Sequence, residues 1–285
     1  IKVFSREDLE EHVKSKKIKT AIIAADTSPK ELNQLFKRLH DAGIEEIKLS
    51  RILGAHNEKL QDLSIEDLLA RYPKDLDTKT IASFIKDKTG LITGAGGSIG
   101  SEIALQAQKY GAKKLILVDN SEFNLYSVGE QIPQAQLSLT SVTDLSALEQ
   151  LFQNEPIDIL IHAAAYKHVP LCESNKTIAI FNNVVGSKNV IDLSIRFGVK
   201  KVVMISTDKA VRPTNVMGTT KRIAELYAQN VDAKSTEIVA VRFGNVLGSS
   251  GSVIPKFKQQ IENGGPVTVT HPEMTRYFMM IPEAC

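Results

Sequence analysis

Glycines 94, 97 and 100 stand three residues apart in Leu91-Ile92-Thr93-Gly94-Ala95-Gly96-Gly97-Ser98-Ile99-Gly100, between an apolar run and a helix-forming one. A turn stripped of side chains lets a pyrophosphate approach backbone N–H groups at a helix N-terminus. The next apolar run, Leu115-Ile116-Leu117-Val118, ends in Asp119. A carboxylate at that distance can hold both hydroxyls of a ribose. Strand, glycine turn, helix and acid together predict a dinucleotide site; a glycine-rich connection in an ordinary α/β protein is the plainer alternative. Asp119 favours NAD over NADP, because it would repel a 2′-phosphate and Asn120-Ser121-Glu122 offers no Arg.

A chain of 285 residues suits two domains. Hydrophobic content of 42% and charged content of 24% are those of a globular protein. The net charge of +2, with no dense basic block, gives no reason to expect a nucleic-acid partner. Two cysteines, Cys172 and Cys285, are too few for a disulfide framework or a metal site, and point to a reducing compartment. The apolar runs are strand-sized, so neither a membrane span nor a signal peptide is expected. A chain that opens at Ile1 and stops in Pro282-Glu283-Ala284-Cys285, which reads as a first helical turn, is expected to be a fragment.

Residues 1–77 read as a small α/β module, structural or regulatory, with a polar helix at 6–15 and strands at 19–24 and 46–49. Between those strands an amphipathic helix over 28–42 places Leu32, Leu35, Phe36 and Leu39 at helical spacing. A connector over 75–88 leads into the domain proper, 78–285. There, strands are predicted at 90–93, 114–118, 135–139, 157–162, 201–205 and 237–242. Helices are predicted at 98–110, 121–131, 144–153, 176–197 and 216–230. Apolar strands alternating with helices predict an α/β fold, a doubly wound parallel sheet of Rossmann-like form. Ligands in such sheets bind beyond the C-terminal strand ends, and the unusual residues lie there.

One such end reads His162-Ala163-Ala164-Ala165-Tyr166-Lys167-His168. The alanines leave room for a ribose and nicotinamide against backbone, or simply for tight packing. His162, within the strand, reads as a satisfied buried imidazole. Lys167 and His168, in the loop, reach a substrate or are solvated. The next strand runs into Ser206-Thr207-Asp208-Lys209, and Met217-Gly218-Thr219-Thr220-Lys221 opens a helix. Burial and proximity would shift Asp208 and Lys209 and make them candidates for proton transfer; a solvated turn is the alternative.

Residues 90–285 resemble the extended short-chain dehydrogenase/reductases and, within them, the UDP-N-acetylglucosamine 4,6-dehydratases of bacterial glycan biosynthesis. The segments that carry the resemblance are 93–102, 162–170 with Glu173, Asn182-Asn183-Val184-Val185-Gly186 and 206–221. Arg242-Phe243-Gly244-Asn245-Val246-Leu247-Gly248 and His271-Pro272-Glu273-Met274-Thr275-Arg276-Tyr277-Phe278 complete the series. The N-terminal unit resembles the module preceding the catalytic domain in long, membrane-anchored members. That implies a cytoplasmic-side location, with any anchor in segments outside this chain, and a homo-oligomer.

The resemblance implies a lyase with NAD held by Gly94, Gly97, Ser98, Ile99, Gly100 and Asp119. Ser141, Val142, Ala163, Ala164, Ala165 and Lys221 would complete the cofactor contacts. It implies oxidation of the sugar at C4, loss of water across C5 and C6, and reduction at C6. Thr207 would bond the 4-hydroxyl, a neutral Lys209 would take the C5 proton, and a protonated Asp208 would release the C6 hydroxyl. Lys167, His168, Asn183, Thr207, Arg242, Asn245 and Arg276 would grip the UDP-sugar. The superfamily's Tyr-x-x-x-Lys pair is departed from: Lys221 is present, but Met217 fills the tyrosine position, and a thioether exchanges no proton. Asp208 or a water is then left to serve the 4-hydroxyl. A nucleotide-sugar 4-epimerase, an inverting 4,6-dehydratase and a non-catalytic NAD-binding regulator remain as alternatives.

Overall fold

The computed structural model describes residues 77–249, 251–269, 271, 273 and 275–285, together with 13, 18–23, 34, 35, 38, 39, 41–44 and 46–49. The chain divides into two compact units, Ile1–Lys74 and Asp75–Cys285.

In the first unit β1 (Thr20–Ile23) pairs in parallel with β2 (Glu46–Leu49), Thr20 opposite Glu46. Val13, Ile23, Leu39, Ala42 and Ile44 form its buried cluster. The expected helix at 6–15, apart from Val13, and the positions of Leu32 and Phe36 lie outside the described residues.

The second unit is built on a six-stranded parallel sheet ordered β5-β4-β3-β6-β7-β8. Its strands are β3 (Thr89–Thr93), β4 (Lys114–Asp119), β5 (Gln136–Leu139), β6 (Ile159–His162), β7 (Lys201–Thr207) and β8 (Glu237–Phe243). Strand order reverses between β3 and β6, and a crevice opens at such a reversal beyond the strand ends. All of β3 is buried, as a central strand covered on both faces must be.

One face of the sheet packs Ile92, Leu115 and Leu117 with α2 (Ser98–Lys109) and α3 (Glu122–Gln131). The other packs Leu91, Ile116, Leu160 and Val202 with α4 (Leu145–Asn154) and α7 (Gly186–Arg196). Each fully buried Leu or Ile contributes about 1.5–3 kcal/mol.

Three expectations need correction. The connector contains a helix, α1 (Thr78–Ile85), started by Asp77, whose carboxylate accepts from Thr80 N at 3.1 Å. The helix expected over 176–197 is not continuous. It follows α5 (Val169–Ser174) and divides into α6 (Lys176–Ile180), a π-helical turn (Phe181–Val185) and α7. The wide turn buries both Asn182 and Asn183. Strand β7 runs through Thr207, because its last residues pair with β8, Ser206 opposite Arg242.

Beyond β7 a 3-10 turn (Asp208–Ala210) leads to α8 (Val216–Asn230). β9 (Asn245–Val246), α9 (Val253–Glu262), β10 (Phe278–Met279) and α10 (Ile281–Ala284) complete the unit. Among the described residues no helix is long and apolar enough to cross a membrane.

Candidate active site

The glycine turn closes tightly on the neighbouring strand end. Gly94 has φ +67°, and a Cβ there would lie 2.6 Å from the Ala164 backbone. The close approach explains both the glycine and the small residues that face it. Gly97 N donates to Gly94 O at 3.1 Å, and Gly97 caps α2 without a side chain in the way. The first N–H groups of a helix lack helical partners and favour an anion. Asp119, 9% exposed, accepts from Gly96 N and Ser121 N, each at 2.9 Å, which fixes its carboxylate beside the turn.

Three chambers follow the strand ends. One of 150 Å³ holds Asp119, Asn120, Thr140 and Val142; one of 420 Å³ lies over Gly94, Gly97 and Gly100. One of 310 Å³ holds Thr207, Lys209, Met217, Lys221 and Asn245. Ala163, Ala165 and Tyr166 border all three, so they form one groove. A bare glycine turn at a helix start, an acid in the end chamber and alanines along the wall fit a dinucleotide. Ser141 Oγ is engaged with Thr143 Oγ1 at 2.8 Å, which leaves Val142 as the member of that pair on the wall.

His162 is fully buried, and burial first, then the Lys221 charge, push its pKa down to about 3. Ser187 Oγ donates to Asn183 O at 2.6 Å, so it accepts from His162 Nε2 at 2.8 Å. Nδ1 is then the acceptor for Thr93 Oγ1 at 2.7 Å. The neutral ring pins β3 to β6 and α7.

At the other end of the groove α8 is capped twice. Asn215 Oδ1 accepts from Gly218 N at 2.8 Å, and Glu173 Oε1 accepts from Val216 N at 2.7 Å. A Cβ on Gly218 would lie 2.3 Å from Lys209 O, so the turn after β7 sits directly on the helix start. Met217 is buried with Cys172 and Ala179 while still lining the chamber. Lys221, 5% exposed, is pushed down to about 8 by burial, with Glu225 pulling back upward. Burial also lowers Lys167, on the wall shared with His168.

Thr207 Oγ1 donates to Asp208 Oδ1 at 2.9 Å, and Lys209 Nζ donates to Asp208 Oδ1 and Asn245 Oδ1, each at 3.1 Å. Burial alone would raise the Asp208 carboxyl, but hydrogen bonds from Lys209 and Thr207 outweigh it and bring it below its ordinary value. The expectation of a protonated Asp208 beside a neutral Lys209 is corrected accordingly: the two form an ion pair.

Two substrate contacts are also corrected. Asn183 is fully buried, accepts from Tyr166 N at 2.8 Å and donates to Tyr166 O and Thr220 Oγ1, both at 3.0 Å. It clamps the loop after β6 to α8 and has nothing left for a ligand. Arg242 is bound through Nε and Nη2 to Glu225 and does not line the chamber. Arg276 donates to Thr275 O at 2.8 Å on an exposed segment and is not on the chamber walls. Glu225 was not foreseen; its signal was a carboxylate one helical turn after Lys221 on the buried stripe of α8.

A parallel sheet reversing between β3 and β6, a glycine cradle at the reversal and Lys221 on the helix beside Thr207 define a short-chain dehydrogenase/reductase domain of the extended type. The chain belongs to the polysaccharide biosynthesis protein family, which matches residues 91–285. It is 49% identical to the capsular polysaccharide biosynthesis protein CapD of Staphylococcus aureus, over 98% of this chain and 49% of that protein. It is 45% identical to the probable polysaccharide biosynthesis protein EpsC of Bacillus subtilis, over 98% and 49%. The chain thus spans about half the length of the curated relatives it matches. The structure of Pen from Bacillus thuringiensis is 36% identical, with a TM-score of 0.67, over 70% of this chain and 63% of that one.

Proposed function

We propose that the chain carries the catalytic core of an NAD-dependent nucleotide-sugar 4,6-dehydratase that takes UDP-N-acetylglucosamine to its 4-keto-6-deoxy form in bacterial glycan biosynthesis. The observation that carries this reading is the Thr207–Asp208–Lys209–Asn245 hydrogen-bond chain, three of whose members, Thr207, Lys209 and Asn245, line the 310 Å³ chamber. An epimerase, which never breaks the C5–H or C6–O bond, has no use for such an acid–base pair.

NAD, when bound, supplies oxidation at C4 and reduction at C6. The remaining steps belong to the chain. Asp119 would hold the adenosine ribose, the start of α2 the pyrophosphate, and Lys221 the second ribose. Thr207 orients the 4-hydroxyl, and a water takes its proton. Once C4 is a ketone, the C5 proton is acidic. Lys209 removes that proton as an amine, and Asp208 as an acid delivers one to the C6 hydroxyl, which leaves as water. Lys209 as an ammonium returns a proton to C5 once C6 is reduced; the proton given up by the 4-hydroxyl then restores the pair. Acid plus amine and carboxylate plus ammonium contain the same number of protons. One transfer along the 3.1 Å contact converts the resting ion pair into the reactive form. Met217 supplies an apolar wall where a tyrosine would exchange protons.

Turnover of UDP-N-acetylglucosamine in deuterated water, followed by mass spectrometry and NMR of the sugar, tests this reading. A 4-keto-6-deoxy product carrying solvent deuterium at C5 is expected. A C4 epimer without deuterium would overturn it.

A further inference from the structure

Glu225 is 1% exposed, yet it receives hydrogen bonds from three elements. Its Oε1 accepts from Ser206 Oγ at 2.5 Å, on β7, and from Arg242 Nε at 2.7 Å, on β8. Its Oε2 accepts from Arg242 Nη2, and from Arg222 Nη1 at 3.2 Å one turn back on α8. The two arginine side chains are each more than a third exposed, so the carboxylate is far more deeply buried than its partners. Such burial is expensive, and replacing a buried ion pair with apolar groups is often neutral or stabilising. Stability alone is therefore a poor reason for this arrangement.

Its position supplies a better one. Ser206 directly precedes Thr207, Asp208 and Lys209, and Arg242 lies three residues before Asn245. Ser206 and Arg242 are themselves paired across β7 and β8. One carboxylate thus holds the two strand ends from which Lys209 and Asn245 reach across to meet at 3.1 Å. It does so from the helix that carries Lys221. We propose that Glu225 is a positioning residue, locking the ends of β7 and β8 into the register in which Lys209 meets Asn245. Its consequence for turnover rests on the elimination assigned above to Asp208 and Lys209; its hold on the strand ends does not.

Glu225→Gln keeps the shape, removes the charge and turns an N–H toward donors. Ser206→Ala severs only the tie to β7 and leaves the ion pair intact, so its fold is not at risk. In both, amide hydrogen exchange across 206–210 should quicken while exchange in α4 does not. UDP and NADH should bind within about threefold of the unmodified protein, and kcat should fall about tenfold or more for Glu225→Gln and less for Ser206→Ala, at little-changed KM. Should Glu225→Gln not fold, Ser206→Ala decides. Unchanged exchange, or quickened exchange with unchanged kcat, overturns the proposal. Lys209→Met in the same assay separates the two ideas: full turnover there would remove the elimination reading, while the exchange result would still judge Glu225's hold on the strands.

Discussion

The ends of β3 and β7 face the same groove but are made in different ways. At β3 the fit is steric and backbone-made: a left-handed Gly94 against the Ala164 main chain, N–H groups at a helix start, and one carboxylate held by two amides. At β7 the fit is electrostatic and side-chain-made: Thr207, Asp208, Lys209 and Asn245 hold one another in a half-exposed chain. A backbone cradle suits a ligand that stays in place, because it has few rotamers to lose. A side-chain chain suits protons that move, because Asp208 and Lys209 can each gain or lose one.

Four changes probe this division, beginning with the largest. Lys209→Met should cut turnover about 10²–10⁴-fold, roughly 3–5 kcal/mol of barrier, while NADH fluorescence titration gives an unchanged affinity. A loss of NADH binding there would mean that the two ends are not separable.

Gly94→Ala should do the reverse, weakening NADH about tenfold or more and lowering the melting temperature. It combines a positive φ with a 2.6 Å clash, for which about 1–3 kcal/mol is a typical cost. Wild-type affinity in that variant would show the cradle to be looser than its contacts indicate.

His162 joins the two ends from beneath. Its folded pKa is about 3, against about 6.5 unfolded, so between these values the unfolded chain binds the extra proton. Its contribution to stability is complete above about pH 6.5 and drains away as pH falls toward 3, at roughly 1.4 kcal/mol per pH unit. Urea midpoints at several pH values should show this slope, and His162→Asn should be flatter by that amount. An equal slope in the variant would mean that the ring is not held neutral.

The mildest change is Met217→Leu, which keeps size and apolarity and should cost less than about 1.5 kcal/mol, under tenfold in kcat. A loss of several orders of magnitude in a folded protein would give the sulfur a part in the chemistry that packing does not explain.

The same contrast sets what the sequence could reveal. The glycine turn, Asp119 and the alanines were legible because their signals are local: tight turns and close approaches demand particular residues within a few positions. The doubly wound sheet was legible for a similar reason, since apolar strand-sized runs recur at regular spacing. Thr207, Asp208, Lys209, Met217 and Lys221 were singled out as candidates, but the hydrogen-bond chain that ties the acid and the amine together was not. Its far member, Asn245, lies 36 residues away from Lys209 and is brought there by the packing of strand ends. Asn183 and Arg242 were assigned to substrate because the identity of a polar residue says nothing of whether its bonds are already taken. Tyr166, Thr220 and Glu225 take them.

The π-helical turn at Phe181–Val185 acts as a phase slip of a single letter. An α-helix advances about 100° per residue, and the wider turn absorbs one extra residue without an extra revolution. Consecutive asparagines thereby both face inward, one of them to clamp Tyr166. Removing one residue from this turn would let it close into an α-helical turn with both flanks in phase, whereas a deletion within α7 would swing everything beyond it through about a quarter of a circle. A deletion scan across 176–196 would therefore show its smallest loss at the wide turn and larger losses in the α-helical segments on either side.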